Sequence, residues 1–188
     1  DSPDYIPGLA EKVTALLIEV RGENRRALTT NRNEAESALE GHETVRPVLF
    51  TDEPGHYQRY WDIRKGLFPA VGAMREIGTT VIIEDVAFPV DQLAPATLDL
   101  QRIFKEHGYD DAIIFGHALE GNLHFVFTQD FNSQQEIDRY ARFMDAITKM
   151  VVEGYDGSLK AEHGTGRNMA PFVEMEWGLD AYSIMREI

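Results

Sequence analysis

The sequence contains no cysteine. That excludes disulfides, thiolate-bound zinc, iron–sulfur ligation by these residues and a cysteine nucleophile, and it leaves any metal to His, Asp or Glu. Long apolar runs are also missing. VII at 81 to 83 and AIIF at 112 to 115 fall far short of the roughly 20 residues that span a bilayer, so no transmembrane segment is expected, and no signal-peptide pattern is visible. Positive charge is scarce: 18 Lys and Arg against 32 Asp and Glu leave a net charge of -14. No basic stripe remains to track a phosphate backbone, which argues against a nucleic-acid partner. There is no repeat of fixed period and no low-complexity tract. The ends, DSPDYIPG and MREI, offer neither a start methionine nor a natural terminus, so the chain is expected to be a piece of a longer protein.

What is present suits a folded domain. With 188 residues, 43% of them hydrophobic, the chain can bury a core, and residues 1–188 are expected to form one domain. VTALLIEVRG (13 to 22), TVRPVLFTD (44 to 52) and TTVIIEDVAFP (79 to 89) read as strands, the second an edge strand because of Pro47. Asn31 can cap a helix over 32 to 40. PGHYQRYWDIRKGLFPAVGAMRE holds a longer helical segment, with Tyr57, Tyr60, Trp61 and Arg64 at three- and four-residue spacings. VDQLAPATLDLQRIFKEHG (90 to 108) is an amphipathic helix with a glycine stop. Residues 110 to 130 read as two strands around a turn, 133 to 154 as the longest helix, and GSLKAEHGTGRNMAPF as a glycine-punctuated loop before a last helix near 171 to 187. Two β-α-β units in succession imply an α+β fold, a ferredoxin-like antiparallel sheet with helices packed on one face.

The chemistry concentrates in GHALEGNLHF, residues 116 to 125. If Glu120-Gly121 is a two-residue hairpin loop, pairing positions sum to 241 and His117 faces His124, with Cβ atoms about 4.5 to 5.5 Å apart. Two imidazoles could then converge on one ion, with Leu119 and Asn122 on the same face. A divalent ion wants a further ligand, preferably an anionic oxygen. KAEHGTGRN offers Glu162 beside His163, where Gly164 and Gly166 allow close backbone approach. The competing account is an ordinary cross-strand histidine pair and a simple turn. His42, His56 and His107 lie near loop signals and are expected to be solvated.

Together, GHALEGNLHF and SLKAEHGTGRNMAPF resemble the C-terminal, substrate-binding cap region of FAD-linked oxidases of the vanillyl-alcohol-oxidase type. The likeness is greatest to the large D-2-hydroxyacid dehydrogenases, of D-lactate and D-2-hydroxyglutarate type, which join a flavin half to an iron–sulfur half. It spans nearly the whole chain. The family pattern GHxGDGNLH followed by EHG implies that His117, His124 and Glu162 are metal ligands and His163 the catalytic base. It also makes Asn122 a substrate-site asparagine and Arg64, in WDIRKG, the holder of the substrate carboxylate.

The implied cofactors are FAD, bound mainly by a missing domain of the same protein, a divalent ion (zinc, manganese or iron), and an iron–sulfur cluster in the parent. The implied partners are a small D-2-hydroxyacid and an electron acceptor of unspecified kind. The implied location is cytoplasmic, peripheral at the inner membrane face at most. The chain departs from the pattern at Ala118-Leu119-Glu120, expected to alter the turn more than the chemistry. It departs again at Phe68 and Ile83, where members acting on D-2-hydroxyglutarate carry threonine and lysine, so a monocarboxylate such as D-lactate is equally in view. Two other classes fit the residues alone: a His/His/Glu zinc hydrolase and a metal-free ferredoxin-like ligand-binding module.

Overall fold

The computed structural model describes residues 13–188. The chain divides into two compact units, Asp1–Gly66 and Leu67–Ile188, each described by itself. In the first, α1 (Arg25–Leu39) starts where Asn24, in extended backbone, accepts the N–H of Ala27 on its side chain at 3.0 Å. Asn31, the expected cap, lies inside this helix and donates to the carbonyl of Arg21 instead. Helix α2 (Pro54–Met74) runs across the boundary between the units.

Residues 13–22 and 44–52 form no strand, contrary to expectation. β-branched composition describes fitness for a pleated, half-buried surface, and a strand needs a neighbour to pair with. Leu16 and Leu49 are exposed to 68% and 83%, and Pro47 removes a donor.

The second unit holds the sheet. β1 (Thr79–Ala87), β2 (Ile113–His117) and β3 (Asn122–Asp130) are ordered β1-β3-β2, with β3 antiparallel to both neighbours. β1 and β2 are therefore parallel, and α3 (Leu93–Glu106) connects them as a split β-α-β unit. α4 (Gln134–Lys149) follows β3, capped by the Ser133 hydroxyl, which accepts the Glu136 N–H. The α+β reading holds, with one β-α-β unit and a further β-α step among the described residues rather than two units. On the free edge of β1 the loop after α4 adds a single antiparallel bridge, Ala87 to Ser158.

Apolar residues at 96, 100, 103 and 104 on α3 and at 143, 144 and 147 on α4 recur at helical spacing and are buried. They pack on Ile82 and Val86 of β1 and on Leu123, Phe125 and Phe127 of β3. Phe104 sits at the centre, its ring against Phe125, Phe127, Tyr109 and Phe143. Because side chains alternate along a strand, the opposite sheet face receives Asp85, Asn122 and His124.

The turn between β2 and β3 is longer than a two-residue hairpin. Ala118–Glu120 form a 3-10 turn closed by Gly121 in the left-handed region, φ 65°. The register therefore pairs His117 with Asn122 and Phe115 with His124. His117 and His124 are diagonal neighbours on one face rather than directly opposed, a correction to the expected pairing. A Cβ on Gly121 would lie 2.0 Å from the carbonyl oxygen of Phe88, and one on Gly116 2.0 Å from that of Asn122. The two glycines of GHALEGNLH are thus required by a close backbone approach, and at 121 by positive φ as well. Gly121→Ala is expected to lower unfolding free energy by at least about 1–3 kcal/mol, the cost of a Cβ-bearing residue held in a sparsely populated region. Urea denaturation of the chain measures it, and an unshifted midpoint would contradict the turn described.

Candidate metal centre

The site is assembled on the sheet face away from the helices. His117 ends β2, while Asn122 and His124 open β3. Glu162 and His163 come from the loop after α4, which has little regular structure but is pinned in the core by Leu159 and Met169, each 2% exposed.

These side chains meet at one atom. Glu162 Oε1 lies 2.8 Å from His124 Nε2, 3.5 Å from His117 Nε2 and 3.1 Å from Asn122 Nδ2, which donates to it. The His117 and His124 rings are 5.6 Å apart and nearly perpendicular. His163 does not join this set; its ring stacks on His124 at 4.8 Å with planes 15° apart. The structure thus brings together five of the six site residues expected from the sequence. Arg64 lies on α2 in the first unit, and the site is described within the second. Ile83 is half-buried on β1 and paired with Val126; the Phe68 side chain lies outside the described residues. Of the other histidines, His42 and His56 are exposed as expected, while His107 is half-buried, its ring against Phe143.

The donor set fits a divalent ion. One ligand atom each from His117, His124 and Glu162 lies within 4.8 Å of the others, an N2O set of the kind that holds zinc or a similar metal and leaves positions open. Burial lowers the pKa of His124, and the neighbouring His163 pushes the same way, while Glu162 and Asp85 oppose. The net effect favours neutral imidazole, the form with a lone pair to give. At this site the buried His124 Nδ1 and Asn122 Oδ1 have no hydrogen-bond partner among the described residues.

Sequence reasoning missed the acids that hold the loop. Glu84 and Asp85 are both buried although they interrupt the apolar run of β1. Consecutive acids in VIIEDV were the available signal, since buried carboxylates persist only when partnered. Glu84 accepts from Asn168 Nδ2 at 2.5 Å, and Asn168 in turn accepts the Tyr140 hydroxyl at 2.9 Å. Asn168 lies in GSLKAEHGTGRNMAPF, read from sequence as a glycine-punctuated loop with no role for this residue.

A family profile described as FAD linked oxidases, C-terminal domain, matches residues 5–188. The glycolate oxidase subunit GlcD of Bacillus subtilis (strain 168) is 31% identical over 121 residues, which cover 62% of this chain and 25% of that protein. A mitochondrial D-lactate dehydrogenase [cytochrome] of Arabidopsis thaliana is 29% identical over 142 residues, 74% of this chain and 24% of that protein. A D-2-hydroxyglutarate dehydrogenase of Xanthomonas citri pv. viticola is 26% identical over 133 residues, 68% and 26% respectively. The chain spans about a quarter of the length of these relatives. No helix among the described residues is long and apolar enough to cross a membrane.

Two outcomes are expected. Calorimetric titration of the chain with Zn2+ shows one bound equivalent, and His124→Ala, which removes the buried ligand, weakens it more than His117→Ala, which removes the half-exposed one. Equal uptake by a double His117→Ala, His124→Ala variant would dismiss the centre. The second outcome concerns pH. Burial raises the pKa of Glu84 above its ordinary 4.5, with Asn168 opposing and Asp85 adding to the rise. The folded state then holds a proton that the unfolded chain has released, so this group's contribution to stability falls as pH rises from 4.5 through the raised value. Gln at 84 keeps an acceptor for Asn168 without titrating. The stability of Glu84→Gln relative to the parent should therefore climb over that window in chemical denaturation, and a pH-independent difference would count against it.

Proposed function

This chain belongs to the family of FAD linked oxidases, C-terminal domain, and we propose that it is the substrate- and metal-binding part of a flavoprotein that oxidises a D-2-hydroxyacid to the 2-oxoacid. The observation that carries the reading is the convergence of His117, His124 and Asn122 on Glu162, with the His163 ring stacked alongside. The relatives are named for glycolate, D-lactate and D-2-hydroxyglutarate. These share a hydroxyl on the carbon next to a carboxylate, the unit such a ligand set suits.

When bound, the divalent ion supplies Lewis-acid polarisation of the substrate oxygens and FAD supplies the hydride acceptor. The chain's residues do the rest. His117, His124 and Glu162 would hold the ion, zinc, manganese or iron, and Asn122, assigned to the substrate site, steadies the Glu162 carboxylate. His163 takes the hydroxyl proton, for which a histidine with a partly exposed ring is suited. Arg64 is assigned to the substrate carboxylate, as a planar two-pronged donor. Ile83 offers no cation to a second carboxylate, so a monocarboxylate of the D-lactate type stands beside D-2-hydroxyglutarate as the substrate proposed. An iron–sulfur half in the parent, as the pathway for electrons onward, is part of the same proposal.

The test separates two neighbours in the full-length protein. Glu162→Gln replaces an anionic ligand by a neutral amide, so metal content falls and activity partly returns with excess metal. His163→Asn keeps its metal and loses about 10²- to 10⁴-fold in turnover, the usual effect of removing a general base, with no rescue by metal. Metal content and turnover on D-lactate are measured on the same samples. Loss of metal in His163→Asn with retention in Glu162→Gln reverses the roles, and full activity in both removes them from the site.

A further inference from the structure

We propose that Asp85 is the positioning residue of this centre: one buried carboxylate on β1 fixes the Glu162–His163 pair and backs the ring of His124. The inference rests on the reading of the centre given above and names what sets its geometry.

Asp85 is 1% exposed. Its Oδ2 accepts two consecutive backbone N–H groups, from Glu162 at 2.6 Å and from His163 at 3.0 Å. Its Oδ1 lies 3.9 Å from His163 Nδ1, too far for a hydrogen bond. Across the sheet Asp85 is the direct partner of His124. One oxygen of Asp85 and one ring nitrogen each of His124 and His163 lie within 4.8 Å of one another.

A carboxylate this deeply buried persists only where donors compensate it, and here two of those donors belong to the residues given the anionic ligand and the base. Two adjacent N–H groups bound to one oxygen fix the orientation of the intervening peptide. That orientation decides how the side chains leave the backbone: Glu162 toward His117 and His124, His163 onto the His124 ring. The loop has no helix or ladder at this point to do the same. With both bonds on Oδ2, that oxygen is committed to the backbone. The Asp85 carboxylate also backs the His124 ring, whose buried Nδ1 has no hydrogen-bond partner among the described residues.

The experiment compares Asp85→Ala and Asp85→Asn with the parent in the full-length protein. Three quantities are read: hydrogen exchange at the Glu162 and His163 amides, Zn2+ affinity by calorimetry after chelation, and kcat and KM. Alanine removes the acceptor. Exchange at both amides should rise, Zn2+ should bind about 10- to 100-fold more weakly, the range for partners of metal ligands, and kcat should fall more than KM changes. Asparagine keeps an oxygen for the two N–H groups and should restore amide protection and most of the Zn2+ affinity. The proposal is overturned if Asp85→Ala keeps both parental exchange and parental affinity, or if Asp85→Asn is as defective as Asp85→Ala. Should the alanine variant not fold, unprotected amides in Asp85→Asn overturn it. A parent protein that takes up no Zn2+ sinks the metal reading instead, and amide exchange still decides the clamp.

Discussion

Antiparallel pairing of β3 on both of its edges is the constraint from which the rest follows. A strand hydrogen-bonded on two sides must present both faces, and its side-chain period of two divides them cleanly. Leu123, Phe125 and Phe127 go to the helices and build the core; Asn122 and His124 go to the other side and build the site. A slip of one residue would place His124 among aromatic rings and Phe125 in the metal centre. The core therefore enforces the register of the site, and the ligand positions inherit rigidity from packing that they do not touch.

The same division holds on β1, where Glu84 and Asp85 follow one another and point to opposite faces. Glu84 reaches Asn168 on the helix side, where Tyr140 of α4 completes the bond, and Asp85 reaches the Glu162 and His163 backbone on the other. A loop of irregular backbone is thus held at two points from two sides of one strand, with Leu159 and Met169 buried near its ends. Ligands on loops are generally placed less firmly than ligands on strands; here the loop takes its placement from a strand.

The legible part of the sequence was the part governed by local rules. Gly108 after an amphipathic run, Ser133 ahead of Glu136 and alternation in NLHFVF each specify an element without reference to distant residues, and α3, α4, β2 and β3 formed close to where they were expected. The clustering of His117, His124 and Glu162 was legible through spacing and resemblance, although the direct facing of His117 and His124 was not: a 3-10 turn moved the register by two positions in the pairing sum while keeping both rings on one face. Strands at 13 to 22 and 44 to 52 failed because propensity cannot report whether a neighbour exists to pair with. Asp85 was invisible in its role because its partners are backbone N–H groups about 77 residues away, and backbone donors carry no signature in sequence.

Exposure grades the ligand set in a way that bears on its use. The His124 side chain is 5% exposed, those of His117 and Glu162 about half. A structural metal site is closed by protein ligands on all sides, whereas a catalytic one keeps positions for substrate. Here the buried member of the candidate set, His124, is held by the central strand, His117 and Glu162 are half-exposed, and Asn122 donates to Glu162. In the function proposed, His117, His124 and Glu162 would hold the ion, and the half-exposed His117 and Glu162 would leave room for a small molecule's oxygens. Two buried acids, Glu84 and Asp85, hold one loop because neither Glu162 nor His163 has a strand of its own to fix it.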